Sequence, residues 1–350
     1  FPNLTGGTDD DIFDLADGQG VTGTIDGAAG IDTLDSADYT TDVTLNLGAG
    51  TATGTGSIAN IENATGGSGN DSLTGSAADN VLIGNAGDDT FGLGDGGADT
   101  VTGGTDSDTV SFVGASSDVT LDLDSTGVAQ TTFGANTLTM TDVLENFTGS
   151  DNDDTLVVDA LAGGVERTAD GGAGTDDVLN LDAMGEDVTI TGNVYSFTGG
   201  RGDITVLGFE TVNLLNTDTI TVNGDGDDNT MTVTATSTDD GSFQLDAGPV
   251  VDFTDLVSFT FNGLAGDDLL VINNPAAGVF NPANGVDYDG GTGGEDGSGD
   301  ELQLLGGTAT TVEHILTGEG VGSVRYNGSA TDNLTYDNLE PIEDTITAVD

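Results

Sequence analysis

The sequence predicts an all-β fold, a parallel β-helix or β-roll solenoid. Three observations predict it. Residues Gly66 to Ser111 form five nine-residue units in tandem. A longer composite unit recurs around them at a regular spacing. Helical signals are nearly absent, because Thr, Val and Ile dominate the patterned segments and glycine, 58 residues in all, recurs too often for helices. An array of β-sandwich-like repeats is the alternative.

The tandem block reads GGSGNDSLT, GSAADNVLI, GNAGDDTFG, one extra residue (Leu93), GDGGADTVT and GGTDSDTVS. Each unit opens with Gly, carries an acid or amide at its sixth place and an apolar residue at its eighth. The sixth-place residues are Asp71, Asn80, Asp89, Asp99 and Asp108; the eighth-place residues are Leu73, Leu82, Phe91, Val101 and Val110. Glycine opens backbone angles closed to other residues, so the chain turns tightly with its carbonyls exposed. Carboxylates beside carbonyls are hard oxygen ligands, which suit Ca²⁺. The apolar position implies a short strand with one side chain pointing inward, and only stacked units bury it. A metal-free ladder of Gly/Asp turns is the alternative reading of the same pattern.

The block resembles the haemolysin-type (RTX) calcium-binding repeats. The resemblance implies a β-roll whose successive nonapeptides lie on alternating sides, with calcium between a turn and the next turn but one. One ion would lie between Asp71 and Asp89 and another between Asp89 and Asp108. The opposite side would pair Asn80, where the family has Asp, with Asp99. The implied ligand turns comprise Gly66, Gly67, Gly69, Gly84, Gly87, Gly94, Gly97, Gly103 and Asp106 besides these sixth-place residues. The resemblance also implies secretion through a one-step export channel, which favours an unfolded passenger.

The composite unit joins a Gly/Asp turn, a strand of the type DVTLxL, a Gly/Thr-rich run and an apolar-Glu pair. Its strands are Asp42 to Leu47, Asp118 to Leu123 and Asp187 to Thr191, with the two-residue alternation of half-buried strands. Its pairs are Ile61-Glu62, Leu144-Glu145, Phe209-Glu210 and Leu339-Glu340. Glu145 to Glu210 is 65 residues and Glu210 to Glu340 is 130, twice that. Degenerate single turns begin at Gly6, Gly27, Gly149, Gly171 and Gly263. Their sixth-place acids, Asp11, Asp32, Asp154, Asp176 and Asp268, are further candidate calcium ligands; a solvent-facing turn in which Asp caps its own backbone is the alternative. The pattern loosens around Gly224 to Asn229 and Gly290 to Asp300. The expected divisions are 1–169, holding the tandem repeats at 66–111, then 170–224 and 225–350, all compatible with one continuous solenoid. Gly241 to Gly263 reads as an antiparallel β-pair with Phe243, Phe253, Phe259 and Phe261 as its core.

Net charge is −59, from 62 acids against three arginines. A compact state at that charge repels itself unless cations neutralise it. Such a chain offers no basic patch for nucleic acid. No apolar run approaches membrane-spanning length. Without cysteine there is no disulfide or thiol chemistry. The acidity suits a saline or calcium-rich exterior, hence a secreted, extracellular or cell-surface protein.

Catalysis is not expected. His314 is the single histidine and alternates with apolar residues, so no nucleophile–base pair or zinc site can be built. Arg167, Arg201 and Arg325 read as ion-pair or turn residues. Five Asn-X-Ser/Thr sequons begin at Asn3, Asn63, Asn146, Asn327 and Asn333; the first three share one place in the repeat and read as turn caps, with glycosylation the alternative. The stretch from Phe1 matches the residues just after an apolar-Glu pair, and the chain stops at Asp350 just past another. The expectation is therefore end-to-end assembly with copies of itself, or else a piece of a longer array. Function divides three ways: a calcium-stabilised structural filament, surface-layer or matrix protein; a non-catalytic adhesin or carbohydrate-binding module for cell-surface or matrix polysaccharide, using Tyr195, Tyr288, Tyr326 and Tyr336; or a polysaccharide-active β-helix enzyme using an arginine.

Overall fold

The computed structural model describes residues 2–292, 299–339 and 342–348. Phe1, Glu340 and Asp350, named above for the repeat phase, lie outside them, as does part of the loosened turn at Gly290 to Asp300. Among the described residues every regular element is a β-strand. None is a helix long and apolar enough to cross a membrane. The chain forms two compact units: Phe1–Val158 with Arg167–Val178, and Asp159–Glu166 with Leu179–Asp350.

In the first unit, nine-residue units alternate between two parallel sheets. One stacks Thr44–Asn46, Ser72–Thr74, Thr90–Gly92, Thr109–Ser111, Asn146–Thr148 and Arg167–Asp170. The other stacks Ile12–Asp14, Thr33–Asp35, Asn63–Thr65, Val81–Ala86, Ala98–Thr105 and Thr137–Met140. Parallel register places like residues above one another. Leu45, Leu73, Phe91, Val110, Phe147 and Ala169 form one inner column; Leu34, Ala64, Leu82, Val101 and Met140 form the other. Every member of both is at most 1% exposed. This is the solenoid logic: one apolar side chain per short strand, buried only because the next coil covers it.

Leu93, the extra residue, does not disturb the register. Phe91 still pairs with Val110, and Leu82 with Val101. The insertion lengthens one coil and tucks Leu93 itself into the core, 2% exposed.

The second unit has the same architecture with longer coils. Val188–Thr191, Thr219–Asn223, Ser258–Asn262, Val286–Asp289 and Leu334–Asp337 stack in parallel. So do Thr230–Ala235, Leu269–Asn273, Glu301–Leu305 and Ile342–Asp344. Antiparallel hairpins interrupt these stacks. Val188–Thr191 turns back into Val194–Phe197, and Gly241–Leu245 lies antiparallel to Val250–Phe253. The hairpin read from Gly241 to Gly263 is therefore present, although its last strand, Ser258–Asn262, joins a parallel stack. Phe243, Phe253, Phe259 and Phe261 are all buried. Phe243 lies edge-on to Phe259 with ring centroids 5.6 Å apart, and Phe261 stacks on Tyr288 at 5.3 Å. Parallel pairing of successive coils within each unit excludes the sandwich-array alternative.

Candidate functional site: a carboxylate ladder along the turns

The sixth-place residues form hydrogen-bonded ladders. The amide N–H of Val43 donates to Oδ1 of Asp71 (2.8 Å), that of Asp71 to Oδ1 of Asp89 (2.7 Å), and that of Asp89 to Oδ1 of Asp108 (2.9 Å). On the opposite sheet, Asp11 N–H donates to Asp32 Oδ1 (2.8 Å) and Asn80 N–H to Asp99 Oδ1 (3.0 Å). Val119 N–H reaches Asp154 Oδ1 at 2.7 Å. In the second unit Asn229 N–H donates to Asp268 Oδ1, and Asp268 N–H to Asp300 Oδ1, each at 2.7 Å. The pairs that the resemblance implied, Asp71 with Asp89, Asp89 with Asp108 and Asn80 with Asp99, are thus brought together.

Glycine five residues earlier makes room for the carboxylates of Asp32, Asp71, Asp89, Asp108, Asp154 and Asp268. At Gly84 a Cβ would collide with Oδ2 of Asp89 and with the carbonyl oxygen of Gly103 in the next coil. The same arrangement recurs at Gly66 with Asp71 and the Gly84 carbonyl, and at Gly27 with Asp32 and the Asn60 carbonyl. It appears again at Gly149 with Asp154 and the Gly171 carbonyl, and at Gly263 with Asp268 and the Gly290 carbonyl. At Gly103 a Cβ would meet the Asp108 carboxylate, and at Gly67 and Gly69 the backbone of Tyr39 and Asp42. Gly87, Gly94 and Gly97 have φ of +104°, +82° and +93°, a left-handed backbone that glycine adopts without strain.

The ladder acids are buried. Asp32, Asp71, Asp89, Asp99, Asp108, Asp154 and Asp268 are at most 2% exposed. Oδ2 of Asp32, Asp89, Asp99 and Asp268 has no hydrogen-bond partner among the described residues. By contrast, Oδ2 of Asp71 accepts the Gly67 N–H and Oδ2 of Asp154 the Ser150 N–H, each at 2.5 Å. Burial, with neighbouring acids adding to it, pushes Asp89 and Asp99 up to about 7 and Asp108 and Asp268 up to about 6, against the pull of their backbone donors. Burial raises Asp71 as well. A buried carboxylate must be met by donors, a proton or a cation.

Several positions differ from expectation. Asp177, not Asp176, takes the ladder place: Asp154 N–H donates to Asp177 Oδ1 at 2.6 Å, while Asp176 is exposed. The alternation Leu179, Leu181, Ala183 carries that signal, since the other register would put Asn180 and Asp182 inward. Asp106 is exposed at φ +84° and takes no rung; its Oδ2 accepts from Gly87 N–H (3.3 Å) and the Thr105 hydroxyl (3.2 Å). Asp11 is only partly covered, its Oδ2 accepting from Gly7 N–H. Two apolar-Glu pairs prove to be rungs: Oε2 of Glu62 accepts Asp32 N–H, and Oε2 of Glu145 accepts Asp108 N–H, both at 2.9 Å. Asn229 and Asp300 are further rungs. Asn229 was findable, since Gly224 stands first, Asn229 sixth and the buried Met231 eighth, as in the Asn80 unit, whereas Asp300 lies ten residues after Gly290 and departs from the nonapeptide.

These residues fit a hard divalent cation at the four orphaned oxygens, where carboxylate and carbonyl oxygen flank one glycine-lined point at Asp32, Asp89 and Asp268. Among the described residues no three or more acid or histidine side chains converge as a metal cluster, so main-chain carbonyls would have to complete any site.

Other candidates resolve simply. Arg167 pairs with Asp124 (2.7 Å), Arg201 with Glu186 (3.4 Å), Arg325 with Asp332 (2.6 Å) and His314 with Asp344 (2.9 Å). Tyr195, Tyr288, Tyr326 and Tyr336 are all buried, so they cannot form an exposed sugar-stacking platform. The Asn146 Nδ2 donates to Ser107 Oγ at 2.9 Å, and Asn63 Oδ1 accepts the Val81 N–H, so these two strand-starting asparagines bridge neighbouring coils rather than cap their own turns.

Compared with known proteins, the chain matches no protein-family model, and no curated protein is significantly similar to it.

Proposed function

We propose that this chain is an extracellular structural protein, a β-solenoid stabilised by several calcium ions that associates end to end into a filament, surface layer or matrix. One observation carries the reading. Asp32, Asp89, Asp99 and Asp268 are almost wholly buried, and each keeps one oxygen without a partner among the described residues, in a chain of net charge −59. Bound cations would neutralise those oxygens and lock adjacent coils, so binding free energy becomes folding free energy. The expected sites are those at Asp32, Asp89, Asp99 and Asp268. Asn80 marks a rung that needs no ion: its Oδ1 accepts the Ser76 N–H and its Nδ2 donates to the Glu62 carbonyl, both at 2.6 Å. Assembly draws support from sheet edges. Ile12–Asp14 and Val312–Gly318 each end their sheet order among the described residues, and they carry the strongly exposed Ile12 (71%) and Leu316 (74%).

The test is circular dichroism in chelator, followed by Ca²⁺ titration through about 10⁻⁴–10⁻³ M, the range of extracellular modules. Electron microscopy is then performed at each end of the titration. A gain in β signal and a higher unfolding midpoint on adding calcium, with calcium-dependent filaments, are expected. A β spectrum and unfolding midpoint identical in chelator and calcium would sink the calcium reading; dispersed single particles in calcium would sink the assembly reading.

A further inference from the structure

The second unit contains a cavity of about 580 Å³ that the ladder does not use. Its origin is topological. The hairpin Val188–Thr191/Val194–Phe197 and the hairpin Gly241–Leu245/Val250–Phe253 each add antiparallel strands to a parallel stack. The side chains between these two hairpins do not fill the space they open. The floor is apolar and buried, with Ile190, Val206, Val222, Phe243 and Val251. The rim is formed by the two hairpin turns, Gly192-Asn193 and Asp246 to Pro249, and by Asp225.

The charge of the rim says what it would hold. Tyr195, at 2% exposure, adds an aromatic wall to the apolar floor. The charged lining residues are Asp225 and Asp246, both exposed acids. Their contacts are amide donors only: Asp246 takes Thr230 N–H (2.7 Å) and Asn229 Nδ2 (3.0 Å), and Asp225 takes Asp227 N–H (2.8 Å) and, more weakly, Asn229 Nδ2 (3.4 Å). The three arginines and the histidine pair with other acids.

We infer that this cavity is a binding site for a hydrophobic amine: an apolar body on the Ile190–Val222–Phe243 floor, with its ammonium at the Asp225–Asp246 rim. The volume falls within the range of small-molecule sites, and the acidic rim selects against carboxylate-headed lipids of the same shape. This reading is independent of calcium at the ladder.

Dodecylamine and dodecanoate, matched in chain and opposite in head charge, are titrated calorimetrically into the full chain below their micellar concentrations, with and without Ca²⁺. One dodecylamine per chain is expected, with dodecanoate weaker by at least about tenfold. Val222→Trp, which fills the floor, should abolish binding. Ala247→Trp, an exposed rim position that leaves the core untouched, should weaken it by about tenfold or more even if the floor variant misfolds. Asp225→Asn combined with Asp246→Asn should narrow the amine–carboxylate difference. Amine uptake at many sites that survives Ala247→Trp unchanged, or equal binding of both heads, overturns the assignment.

Discussion

The amide of Asp71 donates to the carboxylate of Asp89, 18 residues later, at 2.7 Å. The side chain of one coil thereby holds the backbone of the coil before it, while its second oxygen has no partner among the described residues. A single residue thus carries both a fastening and an uncompensated charge, and substitution can separate the two.

Asp89→Asn keeps an acceptor for the Asp71 N–H and removes the charge. In chelator the variant should be more stable than the parent, and its gain on adding calcium should shrink. Asp89→Ala loses the acceptor too and should be less stable by about 1–3 kcal/mol. Urea unfolding with and without calcium reads both; equal effects of the two substitutions would contradict the separation.

Gly84→Ala places a methyl group where the Asp89 carboxylate and Gly103 carbonyl stand. The expected loss is about 1–3 kcal/mol, typical of overpacking a site that cannot yield. Gly226→Ala, with nothing near its Cβ position, should stay within about 0.5 kcal/mol of the parent. Similar losses at both glycines would mean that chain entropy, not the cradle, sets the requirement.

Acidity should stabilise the cation-free chain. Asp89 and Asp99 stand near 7, and Asp108 and Asp268 near 6, when folded. Unfolded, they would titrate at about 3.9. Between those values the folded chain binds more protons, so their contribution is complete below about pH 4 and is lost as pH rises through 6 to 7. In chelator the unfolding midpoint should fall from about pH 5 to about pH 8, and Asp89→Asn should flatten part of that slope. A midpoint that climbs with pH across this window would refute the burial of these groups.

Phe91→Ala removes the middle of an inner column, between Leu73 and Val110. A fully buried Phe in a stacked core is worth about 3–5 kcal/mol. Thermal unfolding should show the first unit destabilised by that amount, with the stacked hairpin aromatics of the second unit unaffected.

Much of the fold was legible because its information is local. Gly, then Asp five places on, then an apolar residue two further, specifies turn, rung and inward side chain within one nonapeptide. Tandem copies leave parallel stacking as the way to bury Leu73, Phe91 and Val110 together. Where the local pattern was ambiguous, local reading erred. Asp176 and Asp177 stand side by side before an apolar pair; the nonapeptide count picks the first, whereas the longer alternation Leu179, Leu181, Ala183 and the neighbouring coil at Asp154 select the second. Glu62 and Glu145 were visible as recurring pairs, but their longer side chains become rungs only because Asp32 and Asp108 lie in the adjacent coil.

By itself the sequence determined the all-β class, the parallel stacking and the inward residues, since each arises from a short-range period that any coil repeats. Tertiary structure alone decided which carboxylate oxygens are left without a donor, where glutamate continues a ladder, and that two hairpins leave an acid-rimmed cavity. Those outcomes depend on which coil rests on which, and coil lengths of 18, 19 or 39 residues set that contact at a distance no local pattern spans.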